Sequence, residues 1–71
     1  MDKQYWDGSP IKTCDACHAP IKIGFVDGKL PSGPWAIVCL NCYIHFGMRV
    51  GAGFGQMYRE EPDGKWIKVA G

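Results

Sequence analysis

The sequence predicts a small, metal-stabilised α+β domain, and three observations predict it. The chain has 71 residues, a length at which only about 60% of the unfolded surface is buried on folding. Four cysteines stand in two Cys-x-x-Cys pairs, Cys14/Cys17 and Cys39/Cys42, with 21 residues between the pairs. Short β-type runs lie between and after these pairs, and helical spacing follows the second one. An apolar core of this size supplies roughly 3–5 kcal/mol at best, so small domains commonly add disulfides or a metal.

The elements follow in chain order. Residues 1–11 are polar, with Gly8 and Pro10, and read as an irregular arm that Tyr5 and Trp6 pin to the body. Cys14-Asp15-Ala16-Cys17 forms a short loop. Residues 21–26, with Ile21, Ile23 and Phe25 apolar, read as a strand. Asp27-Gly28 is a turn signal, and residues 30–34 are a loop rich in proline and glycine. Residues 35–38 form a short apolar run leading into Cys39, which fits a buried strand and makes Trp35 a core residue beneath the cysteines. Residues 40–48 lack proline, and Cys39, Cys42 and Phe46 recur at helical spacing. A short helix is expected there, weakened at its end by Gly47. The alternating glycines of residues 51–55 read as a linker. Residues 56–60 and 65–69 read as two strands joined by the Pro62-Asp63-Gly64 turn. The expected organisation is one domain: an arm (1–11), a cysteine-bearing core (12–50), and a glycine-rich connection with a C-terminal hairpin (51–71).

The cysteine spacing is close to that of four-cysteine zinc sites. Two residues between ligands let both sulfurs of a pair face one ion and leave backbone N–H groups to hydrogen-bond the thiolates. Two disulfides, four unliganded thiols, an iron site and a redox Cys-x-x-Cys are the other readings. The start, MDKQYWDGSPIK, has no apolar stretch of the length a secretory signal needs. A soluble chain in a reducing cytosol is therefore expected, where paired cysteines favour metal over disulfide. A redox motif would leave one pair without a role. We expect one structural Zn2+ held by Cys14, Cys17, Cys39 and Cys42, with a closed shell that leaves no position for water. His18 follows a ligand directly and could replace Cys17 in a distorted site, and His45 lies three residues after Cys42. Four cysteines already suffice, so both histidines read as surface or packing residues. A hairpin between two cysteine knuckles, the second opening a helix, is a treble-clef-like arrangement; a zinc ribbon would place both knuckles on hairpin turns.

From Phe25 onward the chain resembles a group of small uncharacterised bacteriophage and prophage zinc-finger-like proteins. The matching segments are Phe25-Val26-Asp27-Gly28-Lys29, Gly33-Pro34-Trp35-Ala36, Cys39-x-x-Cys42 and Gly51-x-Gly53-x-Gly55-Gln56-x-Tyr58. The resemblance implies a phage-derived zinc-binding protein in the host cytoplasm and supplies no activity. Tyr43 stands where these proteins often have His, and Phe54 where they often have Lys.

The formal charge is +1. Four thiolates add four negative charges and a divalent ion returns two, which makes the loaded chain −1. No bulk positive field is left for non-specific DNA binding. Arg49, Arg59, Lys65 and Lys68, with Phe54, Tyr58 and Trp66, are the candidate partner-binding residues. Such a set can form a protein hot spot, can stack on bases and meet phosphates, or can close a small core with its aromatics. The glycine run could cradle phosphate with its amides, but it lacks a P-loop ending and reads better as a tight connection. No paired carboxylates near histidine and no nucleophile with a base beside it are evident, so an enzyme is not expected. The sequence favours a non-catalytic zinc-binding module with a host or phage protein as partner and no membrane. A nucleic-acid-binding zinc finger using the C-terminal face is the alternative.

Overall fold

The computed structural model describes residues 3–71, so the first two positions of the expected arm lie outside the described residues. Four strands and one helix follow in the order β1 (Gly24–Lys29), β2 (Trp35–Cys39), α1 (Leu40–His45), β3 (Gly55–Glu60) and β4 (Trp66–Ala70). The strands form one antiparallel sheet in the order β2-β1-β3-β4. The two expected hairpins therefore merge, because β3 pairs with the free side of β1.

Register and alternation assign the two faces of the sheet. Phe25 lies opposite Cys39 on one side and Tyr58 on the other. Its ring is fully buried, stacks on Tyr58 at 5.0 Å and meets the edges of Trp6 and Trp66 at 5.4 and 5.2 Å. On the opposite face Val26 lies between Val38 and Met57, and both valines are fully buried. The start of α1 covers this face: a Cβ on Gly24 would stand 3.2 Å from a methyl of Leu40.

The arm behaves as a fragment of a fifth strand. Trp6 N–H donates to the Trp66 carbonyl at 2.9 Å and Lys68 N–H to the Gln4 carbonyl at 2.7 Å, with Tyr5 opposite Ile67. The outer edge of β4 is thereby covered, which removes a site for edge-to-edge pairing.

Three local expectations are corrected. The first strand starts at Gly24 and continues through Asp27 and Gly28. Gly28 lies opposite Gly55, and a Cβ on Gly55 would come within 2.7 Å of the Gly28 Cα. The glycine there permits close strand approach instead of a turn. Trp35 is 52% exposed instead of core. It shares a strand face with Cys39 but lies four residues before it, about 13 Å along an extended strand, beyond the reach of the cysteine cluster. The helix ends at His45, not at Met48. Gly47 takes a left-handed φ of 64°, and its N–H and that of Met48 donate to the carbonyls of Ile44 and Tyr43, both at 3.1 Å, which is a Schellman stop.

The last turn follows its expected chemistry. Asp63 accepts the Lys65 N–H at 2.9 Å through its side chain, and Gly64 takes a φ of 89°, a value that favours glycine. Among the described residues no helix is long and apolar enough to cross a membrane.

Candidate metal centre

Cys14 and Cys17 sit on a tight ribbon made by residues 12–21. Cys14 N–H donates to the Ala19 carbonyl, His18 N–H to the Cys14 carbonyl, and Ile21 N–H to the Lys12 carbonyl, each at 2.9 Å. The turn of this ribbon requires a left-handed residue, and His18 supplies it with a φ of 64°. The N–H groups of Ala16 and Cys17 both point at the Cys14 sulfur at 3.4 Å.

The second pair is built differently. Cys39 ends β2 and caps α1, its sulfur accepting the Cys42 N–H at 3.4 Å. Cys42 lies one turn into the helix and is buried. Asp15 joins the two halves: its N–H donates to the Ile37 carbonyl at 2.8 Å, and its carboxylate accepts the Ile37 N–H at 2.9 Å.

These contacts bring all four sulfurs within 4.8 Å of one another. None of the four cysteines is in a disulfide. Cys14 is fully buried, Cys42 nearly so, and Cys17 is exposed. Burial alone would raise the Cys14 thiol. The amide N–H groups of Cys17, Cys39 and Ala16 outweigh it and bring the thiol down to about 6. Cys42 is pushed up to about 12 by burial first, then by its hydrogen bonds to the neighbouring cysteines and the charge of Cys14. A bound cation reverses that second shift, because its charge favours every thiolate around it. Four thiols converging on one point, with three N–H groups aimed at their sulfurs, fit a single metal ion.

Both histidines stay outside the cluster. His18 and His45 are exposed, and the His45 and Phe46 rings meet at 5.3 Å in an edge-type arrangement. The candidate partner-binding residues do not form one face. Tyr58 and Trp66 belong to the aromatic layer around Phe25. Lys65 lies over the Tyr5 ring at 5.6 Å, and Lys68 bonds the Gln4 side chain at 3.2 Å. Arg59 is exposed opposite Gly24. Arg49 and Phe54 do come together, with the guanidinium 5.5 Å from the ring centroid. The glycine run is a tight connection. Gly51 N–H donates to the Gly55 carbonyl at 2.8 Å, and the N–H groups of Phe54 and Gly55 return to the Gly51 carbonyl at 3.0 and 3.1 Å.

Two residues escape sequence reading. Asp15 carries only the general signal of a short polar side chain able to capture a nearby N–H. Lys29, beside Arg49 and Phe54, carries none, because pairing between distant strands places it there.

The fold and the site define a small α+β domain whose four clustered cysteines could coordinate one metal ion. No protein-family model, no curated protein and no solved structure matches the chain.

Proposed function

We propose that this chain is a non-catalytic binding module folded around one structural zinc ion in a treble-clef-like arrangement. One observation carries the metal reading. A tetrahedral ion with Zn–S bonds near 2.3 Å has a sulfur–sulfur edge of about 3.8 Å, and the sulfurs of Cys17 and Cys39 are 3.7 Å apart. Four protein thiolates fill a tetrahedral shell, so such an ion has no open position at which to activate water. Its work is then structural, and the module acts through its surface.

The partner we propose is a protein, of host or phage origin in line with the resemblance of the motifs, met in the cytoplasm. The apolar side chains of Ile23 and Ile44, each 73% exposed, are surface such a partner would cover. Nucleic acid is the second reading, and the pairing of Arg49 with Phe54 favours it.

The test is native mass spectrometry of the purified chain with cobalt substitution. The reading predicts one zinc per chain, seen as the mass of one ion less the two protons its charge replaces, and the intense absorption of tetrahedral cobalt thiolate at the four clustered cysteines. Iron in the isolated protein, or two disulfides, would overturn it.

A further inference from the structure

A groove of about 290 Å³ opens where β1 ends, lined by Lys29, Arg49 and Phe54 with Leu30, Pro31 and Met48. None of the four cysteines lines it. Three observations mark it as more than a surface dent.

The first is charge. Lys29 and Arg49 are exposed, no carboxylate lines the groove, and neither cation forms an ion pair among the described residues. Asp27, two positions earlier in β1, is half-buried and outside the lining. Glu60, Glu61 and Asp63 lie beyond the other end of the sheet, where β3 turns into β4. The positive potential here is therefore local, although the chain as a whole is near neutral.

The second is the aromatic. Phe54 is 46% exposed and takes no part in the hydrophobic core. The Arg49 guanidinium lies over its ring. A ring and a guanidinium plane together make a surface on which a flat base stacks.

The third is rigidity. Phe54 is at a loop, yet its carbonyl accepts the Lys29 N–H at 2.9 Å and its N–H donates to the Gly51 carbonyl at 3.0 Å. The backbones that carry the Phe54 ring and the Lys29 side chain are thus fixed to each other, so little backbone ordering is needed on binding.

We propose that this groove binds single-stranded nucleic acid, one base stacking on the Phe54–Arg49 platform and the adjoining phosphates meeting Arg49 and Lys29. The proposal gives the second reading above a specific site and stands apart from the identity of the metal. An acidic peptide would satisfy the cations and leave the exposed ring unused. The groove's volume, near the lower end of the range for small-ligand sites, suits one nucleotide unit at a time.

The test is fluorescence anisotropy of short fluorescein-labelled oligothymidylate and oligouridylate with the metal-loaded full chain. Binding at low salt is expected for at least one oligomer, weakening as salt rises. Phe54→Leu, which removes the ring and keeps apolar bulk, should weaken it roughly tenfold or more. Arg49→Gln and Lys29→Gln should each reduce the salt slope by about 0.7. Lys12→Gln removes the same charge outside the groove and should leave affinity unchanged. Metal content of every variant separates loss of the site from loss of the fold. On the wild-type chain, amide shifts during titration should centre on residues 29 and 49–54. No binding of either oligomer, shifts centred elsewhere, equal losses for Lys12→Gln and Arg49→Gln, or equal displacement by oligoglutamate of matched charge would each overturn the proposal. A chain that proves metal-free yet binds as described would sink the zinc reading and leave this one intact.

Discussion

Asp15 and Ile37 exchange two hydrogen bonds, N–H to carbonyl at 2.8 Å and N–H to carboxylate at 2.9 Å. One residue lies between the first two cysteines, the other two positions before the third. The pair therefore ties the two halves of the cysteine cluster together in the folded chain, and it occupies backbone groups of the edge strand β2.

Removing the carboxylate should loosen that tie. Asp15→Ala leaves the Ile37 N–H to water and is expected to cost about 1 kcal/mol. The loss should appear as a lower urea midpoint and as faster transfer of metal to a chromophoric chelator. Asp15→Asn, which keeps an acceptor oxygen, should recover most of it.

His18 separates two roles that the sequence leaves open. Its left-handed backbone costs about 1–2 kcal/mol in a residue with a Cβ, and glycine gives back part of that through its own entropy, about 0.5–1 kcal/mol. His18→Gly should therefore stabilise the chain by about 0.5–1 kcal/mol and leave metal content unchanged. A drop in bound metal would mean that the imidazole is a ligand.

Metal affinity should rise with pH. At neutral pH the Cys42 thiol, pushed up to about 12, keeps its proton in the metal-free site, so the incoming ion must displace it. Cys14, brought down to about 6, is already a thiolate at neutral pH and competes with protons only below that value. The apparent affinity should thus fall as pH is lowered and fall more steeply below about pH 6. Chelator competition across pH, with calorimetry in buffers of different ionisation enthalpy to count the protons released, checks both parts.

Two aromatic truncations should differ sharply. Phe25 is fully buried among three other rings, and Phe25→Ala should cost about 3–5 kcal/mol, comparable to everything the core supplies. Trp35 is half in water, and Trp35→Ala should change stability by less than about 0.5 kcal/mol. Thermal unfolding of the two metal-loaded variants distinguishes them.

Much of this architecture was legible. The cysteine pairs announced a shared site because ligand spacing is a local property, and the Pro62-Asp63-Gly64 turn and the helix after Cys39 rested on local chemistry too. The local pattern misleads where distant segments meet. Asp27-Gly28 has the composition of a hairpin turn, and only the approach of Gly55 from far along the chain makes Gly28 a strand residue. The run from Trp35 to Val38 is apolar throughout, so alternation could not tell which residues face water. Asp15 and Lys29 acquire their roles from partners far along the chain, Ile37 for the one and Arg49 with Phe54 for the other, which no local pattern encodes.

The central claim is that a thiolate-bound ion, added to a core too small to suffice, keeps this chain folded. The most direct measurement is the amide NMR spectrum recorded before and after an excess of a strong zinc chelator under reducing conditions. The account predicts loss of the dispersed sheet resonances as one ion per chain is extracted, and their return when zinc is restored. Dispersed resonances that persist in a chain shown to be metal-free, with an unchanged melting temperature, would contradict it.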